Sequence, residues 1–312
     1  MTQSTKRALV TGGTGGIGLA TARALAGHGY AVTIVGRDRR RGETARAQLT
    51  AAGPAPARFI PADLSSLPAV RALAGEIRAA GPLELLVNNV GGVYNQRWYT
   101  ADGIEATFVM SHLTGYLLTE LLVDDLIAAG RGRIVNVTSS AIGFADRTPL
   151  DRIEVAGHYH GFSVYGRAKL ANLAYTMGLA DRLRGTGVTV LAADPGASAT
   201  EMGRSMRLGL FPMPLRLVSP LIYLNLFRTS ATDAAHSSIA AATGDFPTGT
   251  VLGPKGTPVR PDPRATDPTA IRAVTALSRA TSAPPWPRVP ELGDQRLSRA
   301  GRPAPEPGRV IR

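Results

Sequence analysis

Short apolar runs recur along the first part of the chain, and each is followed by a stretch whose apolar positions return every three or four residues. The runs at Arg7–Thr11, 31–35, Arg58–Pro61 and 83–88 have the length and composition of strands, and the stretches at 17–27, 40–51 and 69–79 have the period of helices. Strand and helix alternate, which predicts an α/β domain with one doubly wound parallel sheet and helices on both faces. A long helix over about 101–129 carries Phe108, Leu113, Leu117, Leu118 and Leu121 at helical spacing, a core stripe. A further strand begins near Ile134, and a helix follows that presents Tyr165 and Lys169 on one face. Another strand is expected at 250–252 and a last helix at 268–278. From residue 283 to 312 the chain is rich in Pro, Arg and Gly without apolar period, which predicts an extended or disordered tail behind a domain of residues 1–282.

Ligands of such sheets sit beyond the carboxyl ends of the strands, and polar or glycine-rich segments stand at four of those ends. The first is TGGTGGIG at residues 11–18, ahead of a helix. Glycine suits a loop whose backbone must approach a pyrophosphate while the helix N-terminus supplies N–H donors. Two registers fit: Gly13, Gly15 and Gly18 as G-x-G-x-x-G, or Thr11, Gly12, Gly16 and Gly18 as T-G-x-x-x-G-x-G. The other three ends carry Arg37, Asp63 and the run Asn88-Asn89-Val90-Gly91.

Tyr165 and Lys169 gain weight from composition. The chain has 35 basic residues, yet only Lys6, Lys169 and Lys255 are lysines. With 8 tyrosines, chance supplies about 0.08 Tyr-x-x-x-Lys pairs. Lysine is a compact cation that can approach a phenol and take part in a proton chain, which the always-charged fork of arginine cannot.

The net charge of +12 is spread over scattered arginines without an aromatic-interleaved basic stripe, so no nucleic-acid partner is expected. The absence of cysteine excludes a disulfide framework, a thiolate nucleophile and cysteine-ligated zinc. His158 and His160 lack a third ligand in sequence, and no metal site is expected. Residues 1–10 lack the apolar core of a signal peptide, and a cytoplasmic protein without an integral membrane segment is expected.

The motifs TGGTGGIG (11–18), ADLSS (62–66), NNVGG (88–92), IVNVTSSA (134–141), YGRAKLAN (165–172) and DPGASAT (194–200) together resemble the short-chain dehydrogenase/reductase family, most closely its retinol-dehydrogenase-like branch. The resemblance implies that Thr11, Gly12, Thr14, Gly15, Gly16, Ile17 and Gly18 cradle a cofactor pyrophosphate. It places Asp63 and Leu64 at the adenine, Asn88 toward the ribose, and Pro195, Gly196 and Thr200 at the nicotinamide end. Ser139 would bond a substrate oxygen and Tyr165 would exchange a proton with it. The charges of Lys169 and the oxidised nicotinamide together would favour the phenolate, and Lys169 would also hold the nicotinamide ribose. The family's asparagine on the long helix is replaced by Ser111, so the water relay it supports is weakened, rerouted or unnecessary.

An acidic residue about 20 positions past the glycine loop marks NAD enzymes; this chain has Arg37 there, with Arg39 to Arg41 following, and Asp38 is placed to cap the next helix. NADP(H) is therefore the expected cofactor. Twenty-six positions separate Ser139 from Tyr165, and residues 142–162 are expected to wall the site. Residues 198–228, with Leu208, Leu210, Phe211, Met213, Leu215 and Leu217, form an apolar lid by resemblance, and point to a bulky lipophilic carbonyl or alcohol. Dimer contact or membrane-surface docking is the other use of such a segment, and a homo-oligomer stays open. The expected activity is that of an NADP(H)-dependent ketoreductase or secondary alcohol dehydrogenase, with secondary metabolism as its expected setting. A cofactor-retaining dehydratase, epimerase or cyclase and a nucleotide-sensing binding protein are the alternatives.

Overall fold

The computed structural model of the chain describes residues 5–154, 158–196 and 230–283. Eight strands form one sheet: β1 (Arg7–Thr11), β2 (Ala31–Gly36), β3 (Arg58–Pro61), β4 (Leu85–Asn88), β5 (Arg133–Val137), β6 (Thr189–Ala193), β7 (Val251–Leu252) and β8 (Pro258–Val259). Their order is β3-β2-β1-β4-β5-β6-β7-β8, parallel except for the antiparallel β7–β8 pair at one edge. The helices are α1 (Gly16–Gly27), α2 (Arg39–Ala52), α3 (Leu67–Ala79), α4 (Ala106–Ala128), α5 (Gly161–Arg182), α6 (Ala231–Ala234), α7 (His236–Thr243), α8 (Pro263–Thr266) and α9 (Pro268–Ser282).

Side chains alternate across each strand, and the two faces feed two cores. Ala8 and Val10 of β1, with Ile34, Val87 and Leu191, pack under α1, α2 and α7. Leu9, with Val35, Leu86, Ile134 and Val190, packs under α3, α4, α5 and α9. The doubly wound expectation is met. Among the described residues α4 is the one helix long and apolar enough to cross a membrane, and 89% of its most apolar window is buried inside the protein.

Differences from the sequence reading have local causes. Helix α4 starts at Ala106 rather than near 101, because residues 100–105 turn back on themselves: Thr100 N–H bonds Ile104 O, and the Glu105 carboxylate caps Thr107 and Phe108. Within α4, Val109–Leu113 is a π-helical turn centred on Ser111. Helix α9 runs to Ser282 rather than 278 and is tied inward, with Ser278 Oγ 2.7 Å from His112 Nε2 and Arg71 reaching Ser282 O. Burial pushes His112 down to about 3, so it serves there as a neutral ring. The lid segment 198–228 and the tail from 284 onward lie outside the described residues.

In this order the chain adds strands outward on one side as far as β3 and then on the other side of β1 from β4, and the crevice expected at that switch point lies beyond Thr11 and Asn88.

Candidate active site

The glycine loop resolves its own register. Gly12 and Gly16 have φ of +65° and +53°, conformations that favour glycine, and a Cβ on Gly18 would stand 2.3 Å from the Gly12 carbonyl oxygen. The T-G-x-x-x-G-x-G reading therefore matches the demands of the backbone. Thr11 is fully buried, and its Oγ1 accepts from the N–H groups of Asn89 and Val90 at 3.0 and 3.1 Å. Asn89, which the sequence reading left unassigned, donates its amide to Thr11 O at 2.9 Å and to Gly12 O at 3.4 Å. It clasps the loop to the end of β4; its signal was its place beside Asn88.

Helix α1 begins with no side-chain cap and no acidic residue in its first turn. Its first N–H groups, at Gly16, Ile17 and Gly18, lie at the positive end of the helix dipole, the arrangement that receives an anion. Thr14 packs against Gly36, where a Cβ would lie 2.6 Å from its methyl. A Cβ on Gly15 would meet Arg41 Nη2 at 2.6 Å, so a guanidinium from α2 lies over the loop. Thr14, Arg40, Arg41, Thr44 and Gln48 line a recess between the loop and α2. Arg37 is exposed at the end of β2, and Asp38 caps α2 by accepting from Arg41 N–H at 3.0 Å. An open helix end, a glycine cradle and arginines beside it fit the phosphates of a nicotinamide dinucleotide.

Around the cleft, Asp63 is exposed and turned to its own loop, its Oδ1 accepting from Ser65 N–H and Oγ at 3.0 and 2.8 Å. Leu64 is buried and its carbonyl takes the Thr114 hydroxyl at 2.7 Å. Asn88 turns its amide nitrogen inward, to Thr119 Oγ1 and Asn136 Oδ1, both at 2.9 Å, and so braces β4, α4 and β5. Pro195 and Gly196 follow β6; Thr200 lies outside the described residues.

Ser139, Tyr165 and Lys169 come together at the end of β5. Ser139 sits half-buried at the head of a 3-10 turn (Ser140–Phe144), accepts from Ala141 N–H at 3.2 Å, and is close enough to the Tyr165 phenol to oppose the rise of its pKa. Ser140 is exposed, with its N–H on Asp194 Oδ1 at 3.1 Å. Gly166 makes the meeting of turn and helix possible: a Cβ there would lie 2.3 Å from Ala141 O and 3.0 Å from Ala145 N. One turn beyond Tyr165, the buried Lys169 donates Nζ–H to Val137 O at 2.6 Å, and Nζ lies 5.9 Å from the Tyr165 ring centroid.

Burial dominates the electrostatics of this group in the protein alone. Tyr165 is pushed up to about 12, first by burial, with the Ser139 hydroxyl opposing and the Asp194 charge adding to the rise. Lys169 is pushed down to about 8 by burial, against the pull of Asp194. In this arrangement Lys169 aims its charge at the Val137 carbonyl instead of the phenol oxygen, and the phenolate is not favoured by it alone. Asp194, also unassigned by sequence because Asp-Pro-Gly reads as a turn, accepts from Ser140 and Gly196 N–H and joins the β5 and β6 ends. Ser111, buried on the π turn, both donates to Gly92 O and accepts from Gly92 N–H at 3.2 Å. A Cβ on Gly91 would lie 3.5 Å from Lys169 Nζ and 3.7 Å from Ser111 Oγ, so the two flank that glycine.

Known proteins share this layout. A profile of the family described as short chain dehydrogenase matches residues 6–209. Short-chain dehydrogenase TIC 32 B, chloroplastic, of Brassica napus is 32% identical over 253 residues, 77% of this chain and 78% of its own. Retinol dehydrogenase 14 of Homo sapiens is 37% identical over 227 residues, 67% of each chain. A crystal structure of an uncharacterized protein from Mycobacterium Paratuberculosis matches with a TM-score of 0.68 at 27% identity, over 90% of this chain and 95% of that one. A glycine loop at the switch point, a serine and a Tyr-x-x-x-Lys pair at the next strand end, and these likenesses lead to one assignment: the chain belongs to the short-chain dehydrogenase/reductase family, in its retinol-dehydrogenase-like branch, and is an enzyme of that NAD(P)-dependent class.

Proposed function

We propose that this enzyme is an NADP(H)-dependent oxidoreductase that interconverts a carbonyl and an alcohol on a lipophilic small molecule. The observation that carries the reading is the gathering of Ser139, Tyr165 and Lys169 at the end of β5, in the same parallel sheet whose β1 runs into the glycine loop and the uncapped α1 N-terminus. Bound in that cleft, the dinucleotide would supply or accept the hydride. Thr11, Gly12 and Thr14 to Gly18 would hold its phosphates, Asp63 and Leu64 would border the adenine, and Pro195 and Gly196, with Thr200 by resemblance, the nicotinamide end. Asn88 would act through the frame it braces.

In the reducing direction Ser139 would donate to the substrate oxygen and Tyr165 would give that oxygen its proton. A phenol pushed up to about 12 is suited to hold its proton until charge develops on the substrate oxygen. Lys169, brought to about 8, can lose and regain a proton near neutral pH, and so can return one toward Tyr165. The Ser111 hydroxyl is engaged on both sides by Gly92, which favours a proton route that bypasses it.

The preference for NADP(H) rests on Arg37 at the β2 end and Arg41 over Gly15, with Asp38 occupied as a cap. Retinol dehydrogenase 14 among the relatives supports an alcohol with a large apolar body. The test is incubation with NADPH or NADH and a panel of hydrophobic carbonyl compounds, following 340 nm absorbance and product mass together. NADPH-dependent reduction is expected. Product formed without NADPH consumption would select a dehydratase, epimerase or cyclase instead.

A further inference from the structure

The segment between Ser139 and Tyr165 starts and ends on two side chains of the candidate site, so what it carries stands at the rim of that site. Apart from the 3-10 turn it runs irregularly as far as Gly161 through its described residues, and irregular chain must find partners for its carbonyls outside any ladder. Two arginines supply them. Arg167, between Tyr165 and Lys169 in sequence and 3% exposed, donates to Thr148 O at 3.3 Å, Ile153 O at 3.0 Å and Pro149 O at 2.5 Å, and also to Arg152 O. Its nearest carboxylate is Asp146 at 4.0 Å. Burying a guanidinium costs several kcal/mol unless its donors are satisfied, and here loop carbonyls satisfy them. Arg264 of α8, paired with Asp262 at 2.7 Å, donates to Ile142 O at 2.9 Å and Ala145 O at 3.5 Å.

Between these clamps projects Phe144, 43% exposed and one of two large apolar side chains so exposed among the described residues. Its ring meets Phe162 edge-on at 4.9 Å, and Phe162 lies 6.4 Å from the Tyr165 ring. An aromatic file thus runs from solvent to the phenol.

We infer that Phe144 and Phe162 are the contact for the apolar body of the substrate, and that Arg167 and Arg264 are positioning residues that hold this contact preformed. The inference rests on the lipophilic-substrate reading above. The continuity of the file with Tyr165 identifies the occupant: a molecule whose oxygen reaches the phenol must lay its carbon skeleton along these rings.

The test is kcat and KM for methyl ketones from 2-butanone to 2-dodecanone with NADPH, in the wild type, Phe144→Ala, Arg264→Met and Arg167→Lys. Specificity in the wild type should rise with chain length. Phe144→Ala, exposed enough to fold, should lose roughly three- to tenfold on the longest ketone, mainly in KM, and far less on the shortest. The arginine variants should show the same split and faster hydrogen exchange at residues 141–153. An equal loss at every chain length, no change in Phe144→Ala, or a Phe144→Ala variant that only turns a dimer into a monomer would overturn the proposal. If no ketone is reduced by the wild type, the redox reading fails by itself. Calorimetric binding of 2-dodecanone to wild type and Phe144→Ala with NADPH present then decides: a weaker variant supports the contact, and equal affinity, or no binding to either, overturns it.

Discussion

Replacing Lys169 by Met should stabilise the protein at neutral pH while removing its activity. The fall of Lys169 from the ordinary 10.5 to about 8 is worth about 3 kcal/mol of charge burial, at about 1.4 kcal/mol per pH unit. Methionine keeps the length of the side chain and removes the charge. It also removes the donor to Val137 O, a loss of about 1–2 kcal/mol. The net gain at pH 7 is about 1–2 kcal/mol, or a few degrees in Tm. The sign of the pH dependence follows from the depressed value. Between pH 8 and 10.5 the unfolded chain holds the lysine proton and the folded chain does not, so the wild type grows more stable as pH rises through that window. The variant has no such group. Urea denaturation of both proteins, each compared at the same pH, should find the variant more stable at pH 7 and the order reversed near pH 10. A variant less stable at pH 7, or a difference that does not change with pH, would refute the assignment of Lys169 as a destabilising buried cation kept for chemistry.

Arg37→Ala and Arg41→Ala should each weaken NADPH binding by roughly tenfold or more, as loss of a charge-assisted phosphate contact does, with NADH affinity little changed; fluorescence titration checks both. Gly166→Ala should push the Ser139 turn off α5 and lower kcat/KM by roughly tenfold or more, since catalytic geometry tolerates little displacement; an unchanged kcat/KM in steady-state assays would show that the close approach is dispensable. Ser111→Asn offers Gly92 both a donor and an acceptor, so NADPH affinity should hold and redox turnover should rise. A several-fold fall in turnover for the folded variant, about 1 kcal/mol on the barrier, would show that Ser111 has been built into a different function.

The frame of the molecule was legible because each strand is short, apolar and closed by polar residues. Arg7–Thr11 and Arg58–Pro61 fall where the apolar runs place them. The two-residue strands β7 and β8 and helices α6 and α7 were less so, since pieces that short or that rich in Ala and Ser carry little period. The site was legible where chemistry is tied to a residue type, as at Tyr165 and Lys169 in a chain nearly devoid of lysine. It was opaque where a residue acts through backbone. Asn89 clasps two carbonyls of the glycine loop, Gly166 admits a carbonyl from another element, and Asp194 joins two strand ends through N–H groups. Such partners lie far apart in sequence and leave no spacing to read. Burial at Tyr165 leaves no spacing to read either, because it is set by packing, and here it outweighs any single neighbouring charge.

The most direct test of the account is Tyr165→Phe, which removes one hydroxyl from a buried ring and leaves the glycine loop and Lys169 in place. NADPH affinity by fluorescence titration should stay within about twofold of wild type, while NADPH-dependent reduction of a hydrophobic ketone should fall by roughly a hundredfold or more, the scale of losing a positioned proton donor. A folded Tyr165→Phe enzyme that binds NADPH normally and reduces the ketone at the wild-type rate would contradict the assignment of Tyr165 as the proton donor.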